Sequence, residues 1–185
     1  MKKHYLYICT IIAVLLINSA QAEAQIYTSS AGTVEFTSDA PLEMINASSN
    51  KLTGVLNAAD GTFSFKIAMS SFKGFNSDLQ RTHFNENYLE TVKFPNATFK
   101  GSIIEDIDFT ANGTVKLRAK GKLEIHGTEQ TRIIKSEVKV QGKKLIVTST
   151  FTVPLVEHNI KVPQVVSQKI AEEIYVKITI ELITK

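Results

Sequence analysis

Apolar and polar residues alternate with a period of two along most of the chain, the pattern of antiparallel strands with one dry face. Phe63, Phe65, Ile67 and Met69 fall on one side of such a strand, with Ser64 and Lys66 on the other. Val115, Leu117, Ala119, Gly121, Leu123 and Ile125 alternate with Lys116, Arg118, Lys120, Lys122 and Glu124. Leu145 to Leu155 and Ile174 to Leu182 repeat the pattern, and weaker strands are predicted around Val34–Thr37, Lys51–Asn57, Ala97–Glu105 and Ile133–Val140. Asp60-Gly61, Asn112-Gly113 and Gln141-Gly142 sit between alternating runs and read as hairpin connections. About eight strands joined in sequence form either a closed barrel or a sandwich, which periodicity alone does not separate. The length of several strands favours a single all-β antiparallel barrel, with Gly101 and Gly121 as places where a coiled strand bends. The front strands read as short.

Two segments break the alternation. In the first, between Phe72 and Pro95, Ser77, Asp78 and Gln80 form a capping signature for a short helix ending near His83. Leu79 and His83 share a face of that helix, while Phe84 and Tyr88 fall on the far side at α-helical spacing. In the second, Pro163 precedes Val166 and Ile170 four residues apart, which predicts a second short helix leading into the last strand.

The start of the chain sets the expected compartment. Lys2 and Lys3 precede an apolar run from Leu6 to Ile17, too short to span a bilayer comfortably, and Ala20-Gln21-Ala22 supplies small residues for signal cleavage. Residues 1–22 are therefore read as a bacterial signal peptide, with residues 23–185 as one exported domain, periplasmic or secreted. Cleavage removes Cys9, so disulfides, thiolate catalysis and cysteine metal sites are excluded from the mature chain. It also removes Lys2 and Lys3 and no acidic residue, leaving 19 basic against 18 acidic groups. A near-neutral domain without a basic block offers no electrostatic footprint for nucleic acid or for a polybasic membrane contact.

Candidate chemistry is sparse. His83, His126 and His158 remain, none with a partner at metal-ligand spacing. Ser71, Ser77 and Ser149 lack a nucleophile-elbow context, and Asp106 and Asp108 lie in an evident loop, so neither an enzyme nor a cofactor is expected. The segment from Phe72 to Phe99 differs in kind. It holds Phe72, Phe75, Phe84, Tyr88, Phe94 and Phe99, six of the chain's fifteen Phe and Tyr residues, among Asn76, Arg81 and His83. Such a mix either caps an apolar cavity while offering polar groups to a ligand's head, or plugs a barrel with packed aromatics.

The same residues carry a resemblance. Asn76, Leu79, His83-Phe84, Tyr88-Leu89-Glu90, Lys93-Phe94-Pro95, Ala97, Phe99 and Gly101 resemble the signature region of the YceI-like family. Gly121, Leu123 and Ile125-His126-Gly127 resemble its second motif, and Phe151, Val153, Leu155, His158, Ile160 and Pro163 its third. The chain departs from the commoner pattern in having no Trp, in Tyr27 to Gly32 at its front, and in Leu79-Gln80-Arg81 where Arg-Asp is usual. The resemblance implies a lipocalin-like barrel that binds a long apolar ligand such as a polyisoprenoid, an isoprenoid quinone or a fatty-acid-like lipid. On that reading the barrel residues Phe63, Phe65, Met69, Phe99 and Phe151 join Phe72, Phe75, Leu79, Phe84, Tyr88 and Phe94 in lining the cavity. Asn76, Arg81 and His83 become head-group contacts. The competing expectation is an outer-membrane or surface barrel without a lipid ligand. Against it, Lys116, Arg118, Lys120 and Lys122 are expected to face water rather than crowd a narrow interior, with no stable membrane insertion. A homodimer is left open.

Overall fold

The computed structural model describes residues 25–184, so the proposed signal peptide lies outside the described residues. Eight antiparallel strands, β1 Ile26–Ala40, β2 Glu43–Asn57, β3 Thr62–Ala68, β4 Asn96–Ile103, β5 Gly113–Ile125, β6 Thr128–Gln141, β7 Lys144–Pro154 and β8 Glu173–Thr184, pair in sequence order. Pairing of β1 with β8 closes the barrel, which settles the choice between barrel and sandwich. Inward positions follow the predicted alternation. On β5 Leu117, Ala119 and Leu123 are buried while Lys116, Arg118, Lys120 and Lys122 are exposed, with Arg118 and Lys122 paired to Glu105 and Glu129.

The front strands are the correction. β1 and β2 are each 15 residues long, the longest pair in the barrel, rather than short. Their alternation reverses phase in the middle. On β1 the inward set passes from Tyr27 to Gly32, Val34 and Ser38, and on β2 from Ala47 and Ser49 to Leu52 and Leu56. Register shifts between Ser29 and Val34 accompany the reversal. A bulge adds an unpaired residue and flips every later side chain, so a single period-two template sees two fragments.

The turns obey local chemistry. Gln141 pairs with Lys144 across a two-residue loop whose Gly142 has φ +59°. Ile125 pairs with Thr128 across His126-Gly127, both at positive φ, the requirement of a tight type I′ hairpin. Asn112-Gly113 instead ends a longer loop over residues 104–112, because β4 stops at Ile103. Gly101 and Gly121 face one another across β4 and β5, and a Cβ on Gly101 would lie 2.1 Å from the Lys120 carbonyl oxygen. Their lack of a side chain permits close strand approach rather than a bend.

The β2–β3, β4–β5 and β6–β7 connections gather at one end with both ends of the described chain. There Tyr27, Leu56, Phe63, Phe109, Leu117, Val138, Val140, Leu145 and Leu182 form a solid core. The Tyr27 hydroxyl, whose pKa burial raises, reaches the Phe109 carbonyl at 3.4 Å, fastening the β4–β5 loop beneath the barrel. The opposite end carries the β3–β4 insertion, the His126-Gly127 turn and the β7–β8 segment, and it is the open end.

Candidate functional site

The open half of the barrel contains an apolar cavity of about 550 Å³, within the size range of small-molecule pockets. Every strand contributes to its wall, among them Val34 and Phe36 of β1, Leu52 of β2, Phe65 of β3, Ala119 of β5, Phe151 of β7 and Ile178 of β8. In mid-wall the hydroxyls of Ser136 and Ser149 hydrogen-bond to each other at 2.6 Å, which leaves that part of the surface without a charged group.

The insertion between β3 and β4 covers the cavity. Met69–Ser71 makes a 3-10 turn, and Ser77 then caps α1, Asp78–His83, by accepting the Gln80 backbone N–H at 3.2 Å. The Gln80 side chain turns back to accept the Asn76 N–H and donates to Glu43 Oε1 at 2.5 Å. Asn76 Nδ2 donates to the Met44 carbonyl at 3.0 Å. These bonds fasten the front of the insertion to the β1–β2 hairpin.

After His83 the helix continues as a π-helical turn, Phe84–Tyr88, with the Leu89 N–H donating to the Phe84 carbonyl at 2.9 Å. Widening the turn rotates the following side chains relative to α-helical spacing. Tyr88, which follows the start of the wide turn, and Phe84, still bonded to the preceding α-helical turn, both line the same cavity as Leu79 and His83. Phe84 stacks on Phe36 with centroids 5.6 Å apart, and Phe72 and Phe75 pack on the same ring at 5.4 Å and 6.0 Å.

The far end of the insertion is held by polar chemistry. His126 places Nε2 2.7 Å from Glu90 Oε2 and Nδ1 3.2 Å from the His158 carbonyl, so one imidazole joins the insertion, the β5–β6 turn and the β7–β8 segment. Phe94 lies edge-on to His126 at 4.7 Å and covers Gly127, where a Cβ would come within 2.4 Å of its ring. His158 is fully buried and donates from Nδ1 to the Thr128 carbonyl at 3.0 Å, while desolvation holds its pKa below the usual histidine value.

Of the residues singled out in the sequence, Phe65, Met69, Phe72, Phe75, Leu79, His83, Phe84, Tyr88, Phe99 and Phe151 stand in the cavity wall. Four stand elsewhere. Phe63 lies one rung deeper, packed on Phe65 and Phe99 in the solid core, because the interior fills at that level. Phe94 faces the His126-Gly127 turn, and Asn76 is committed to Glu43 and Met44. Arg81 lies with Asp78, Asn85 and Glu86 in a shallow exposed hollow on the outer side of α1. Phe36 was missed although it sits at the centre of the aromatic cluster. The Val34-Phe36-Ser38 alternation was the signal that could have found it.

The second helix is shorter than expected. Pro163 precedes a 3-10 turn, Gln164–Val166, yet the Ile170 N–H still bonds to the Val166 carbonyl at 3.1 Å, and both side chains reach the cavity. Lys169 also lines the cavity, as do His83, Gln80 and the Glu43 to which Gln80 is bonded. Among the described residues no three His, Cys, Asp or Glu side chains converge as a metal site would require.

A closed eight-stranded antiparallel barrel with an apolar blind cavity and a helical cover defines the lipocalin-like class. The chain belongs to the YceI-like family, whose YceI-like domain model matches residues 23–182. No curated protein matches it. Among solved structures it is similar to a polyisoprenoid binding domain from Saccharophagus degradans implicated in plant cell wall breakdown. That likeness has 11% identity, 88% of this chain, 100% of that one and a TM-score of 0.73. BcnA from Burkholderia cenocepacia follows at 17% identity, covering 81% of this chain and 95% of its own, with a TM-score of 0.67. A YceI protein from Campylobacter jejuni aligns at 13% identity, with coverages of 75% and 84% and a TM-score of 0.58. At these identities the likeness establishes the shared fold.

Proposed function

We propose that the chain is an exported binding protein, periplasmic or secreted, that holds the apolar tail of a lipid in its barrel and performs no covalent chemistry on it. The observation that carries this reading is the covered cavity, whose wall is mostly aliphatic and aromatic, with Ser136 and Ser149 paired to each other and a minority of polar residues, among them Glu43, Gln80, His83 and Lys169. Transfer of a hydrocarbon tail from water into such a space is favourable by about 0.8 kcal/mol per CH₂, so a tail of moderate length binds without many polar contacts. The polyisoprenoid-binding description of the Saccharophagus degradans domain supports a lipid as the ligand class here.

The charged outer face argues against the alternative of a membrane-spanning barrel. Lys116, Lys120, Lys135 and Lys139 are exposed on adjacent strands, where a transmembrane barrel carries an apolar band. Protein purified under native conditions, extracted with organic solvent and analysed by mass spectrometry is expected to yield a bound lipid in stoichiometric amount. Repeated recovery of lipid-free protein that also fails to take up added lipid overturns the reading.

A further inference from the structure

The cavity ends far short of the barrel's full length, and what ends it is specific. Phe65 lies across Gly54, where a Cβ would meet its ring at 2.3 Å, and Ile180 lies across Gly32, where a Cβ would come within 2.7 Å. Two glycines on the long front strands thus let two large side chains fold over the interior as a floor. Beneath it the space is filled by Leu117, Leu145 and Leu182.

From this floor to the mouth, the wall runs from Val147 to Val153 on β7. Six residues at about 3.3 Å each, inclined at about 40°, give a depth of ~15 Å. An extended hydrocarbon advances ~1.25 Å per carbon, given C–C bonds of about 1.5 Å, so the depth takes about twelve carbons. The volume of 550 Å³ gives a larger figure, which a chain reaches only by bending within the cavity. At about 30 Å³ for a group the size of a water molecule, it holds about eighteen methylenes.

Resting on the lipid-binding reading above, we infer that the barrel is a length-selective site for single-chain lipids of about twelve to eighteen carbons, measured by the Phe65–Ile180 floor. The tail end meets that floor and the polar head stays at the mouth beside His83 and Lys169. A straight acyl chain and a prenyl chain of three units share this length, whereas a tail of eight prenyl units or a two-chain phospholipid exceeds it.

The test is competitive loading. Delipidated protein is incubated with an equimolar mixture of straight-chain fatty acids from about eight to about twenty-four carbons and, separately, with prenols of three to eight units. Bound species are then counted by mass spectrometry. Relative affinity is expected to rise about fourfold per added CH₂ up to the length of the cavity and to level or fall beyond it. Ala119→Leu, which adds bulk to the wall just above the floor, is expected to move the cut-off down by about two to four carbons. A circular dichroism spectrum and a cooperative melting transition like those of the native protein show that this variant is folded. Ile180→Ala is expected to move the cut-off up.

Occupancy that keeps rising past twenty carbons, or a cut-off unmoved in both variants, overturns the length selection and leaves lipid binding intact. Failure of every chain length to bind overturns both. Retention of acyl chains alone or of prenols alone assigns the tail chemistry within the same length class.

Discussion

His158 shows how much a single buried polar residue contributes at the open end. It has no solvent exposure, and its ring is oriented by the Thr128 carbonyl. Burial is the main cause of its lowered pKa, reinforced by the Arg132 charge and opposed by the Thr128 hydrogen bond and Glu157. Above about pH 6.5 the imidazole is neutral in both folded and unfolded chains and the full stability is present. As the pH falls through the window between that value and the lower native pKa, only the unfolded chain takes the proton, and stability is lost. Urea unfolding at pH 7.5, 6 and 5 is expected to show this loss in the native sequence and a shallower slope in His158→Gln. Equal slopes in the two proteins would remove His158 as the origin.

At the scale of elements, the insertion between β3 and β4 divides into a packed base and a looser cover. Met69, Phe72 and Leu89 are buried, Phe75, Phe84 and Tyr88 are half-buried, and Leu79 remains 63% exposed although it lines the cavity. Leu79→Ser therefore removes little core contact and is expected to shift stability by no more than about 0.5 kcal/mol while lowering lipid occupancy. Phe72→Ala leaves a hole beside Phe36 and Phe84 and is expected to cost about 3 to 5 kcal/mol. Melting temperature and extracted lipid, measured on both variants, check the division. A large melting shift for Leu79→Ser with unchanged lipid would make the whole insertion a plug.

Legibility follows the same physics. The capped helix at Ser77 was readable because capping is local, and the β5 alternation because Val115 to Ile125 runs without a bulge. The inward turn of Tyr88 was not readable, since a π-helical turn leaves no mark in α-helical spacing. The lengths of β1 and β2 were hidden by their phase reversals, and the placements of Asn76 and Arg81 by contacts more than thirty residues away or by exposure on the outer side of α1. Phe63 and Phe65 alternate identically in sequence. Only the depth of the floor separates core from cavity wall.

For the whole molecule, all eight strands line one cavity, and each strand pairs with the next until β1 meets β8. Opening any seam therefore dismantles the binding site, so a tail in the cavity stabilises the entire barrel rather than one part of it. A ligand that binds only the folded chain adds RT ln(1 + [L]/Kd), about 2.7 kcal/mol at one hundred times Kd. For a domain of this size each kcal/mol raises Tm by about 2 to 4 °C. A saturated fatty acid of about sixteen carbons at that excess is thus expected to raise the Tm of delipidated protein by ~5 to 10 °C in one unbroken transition. Calorimetry with and without the fatty acid checks this. Stoichiometric binding without a rise in Tm would place the lipid outside the barrel, and a second transition would show that the cavity half melts apart from the Tyr27 and Leu182 core.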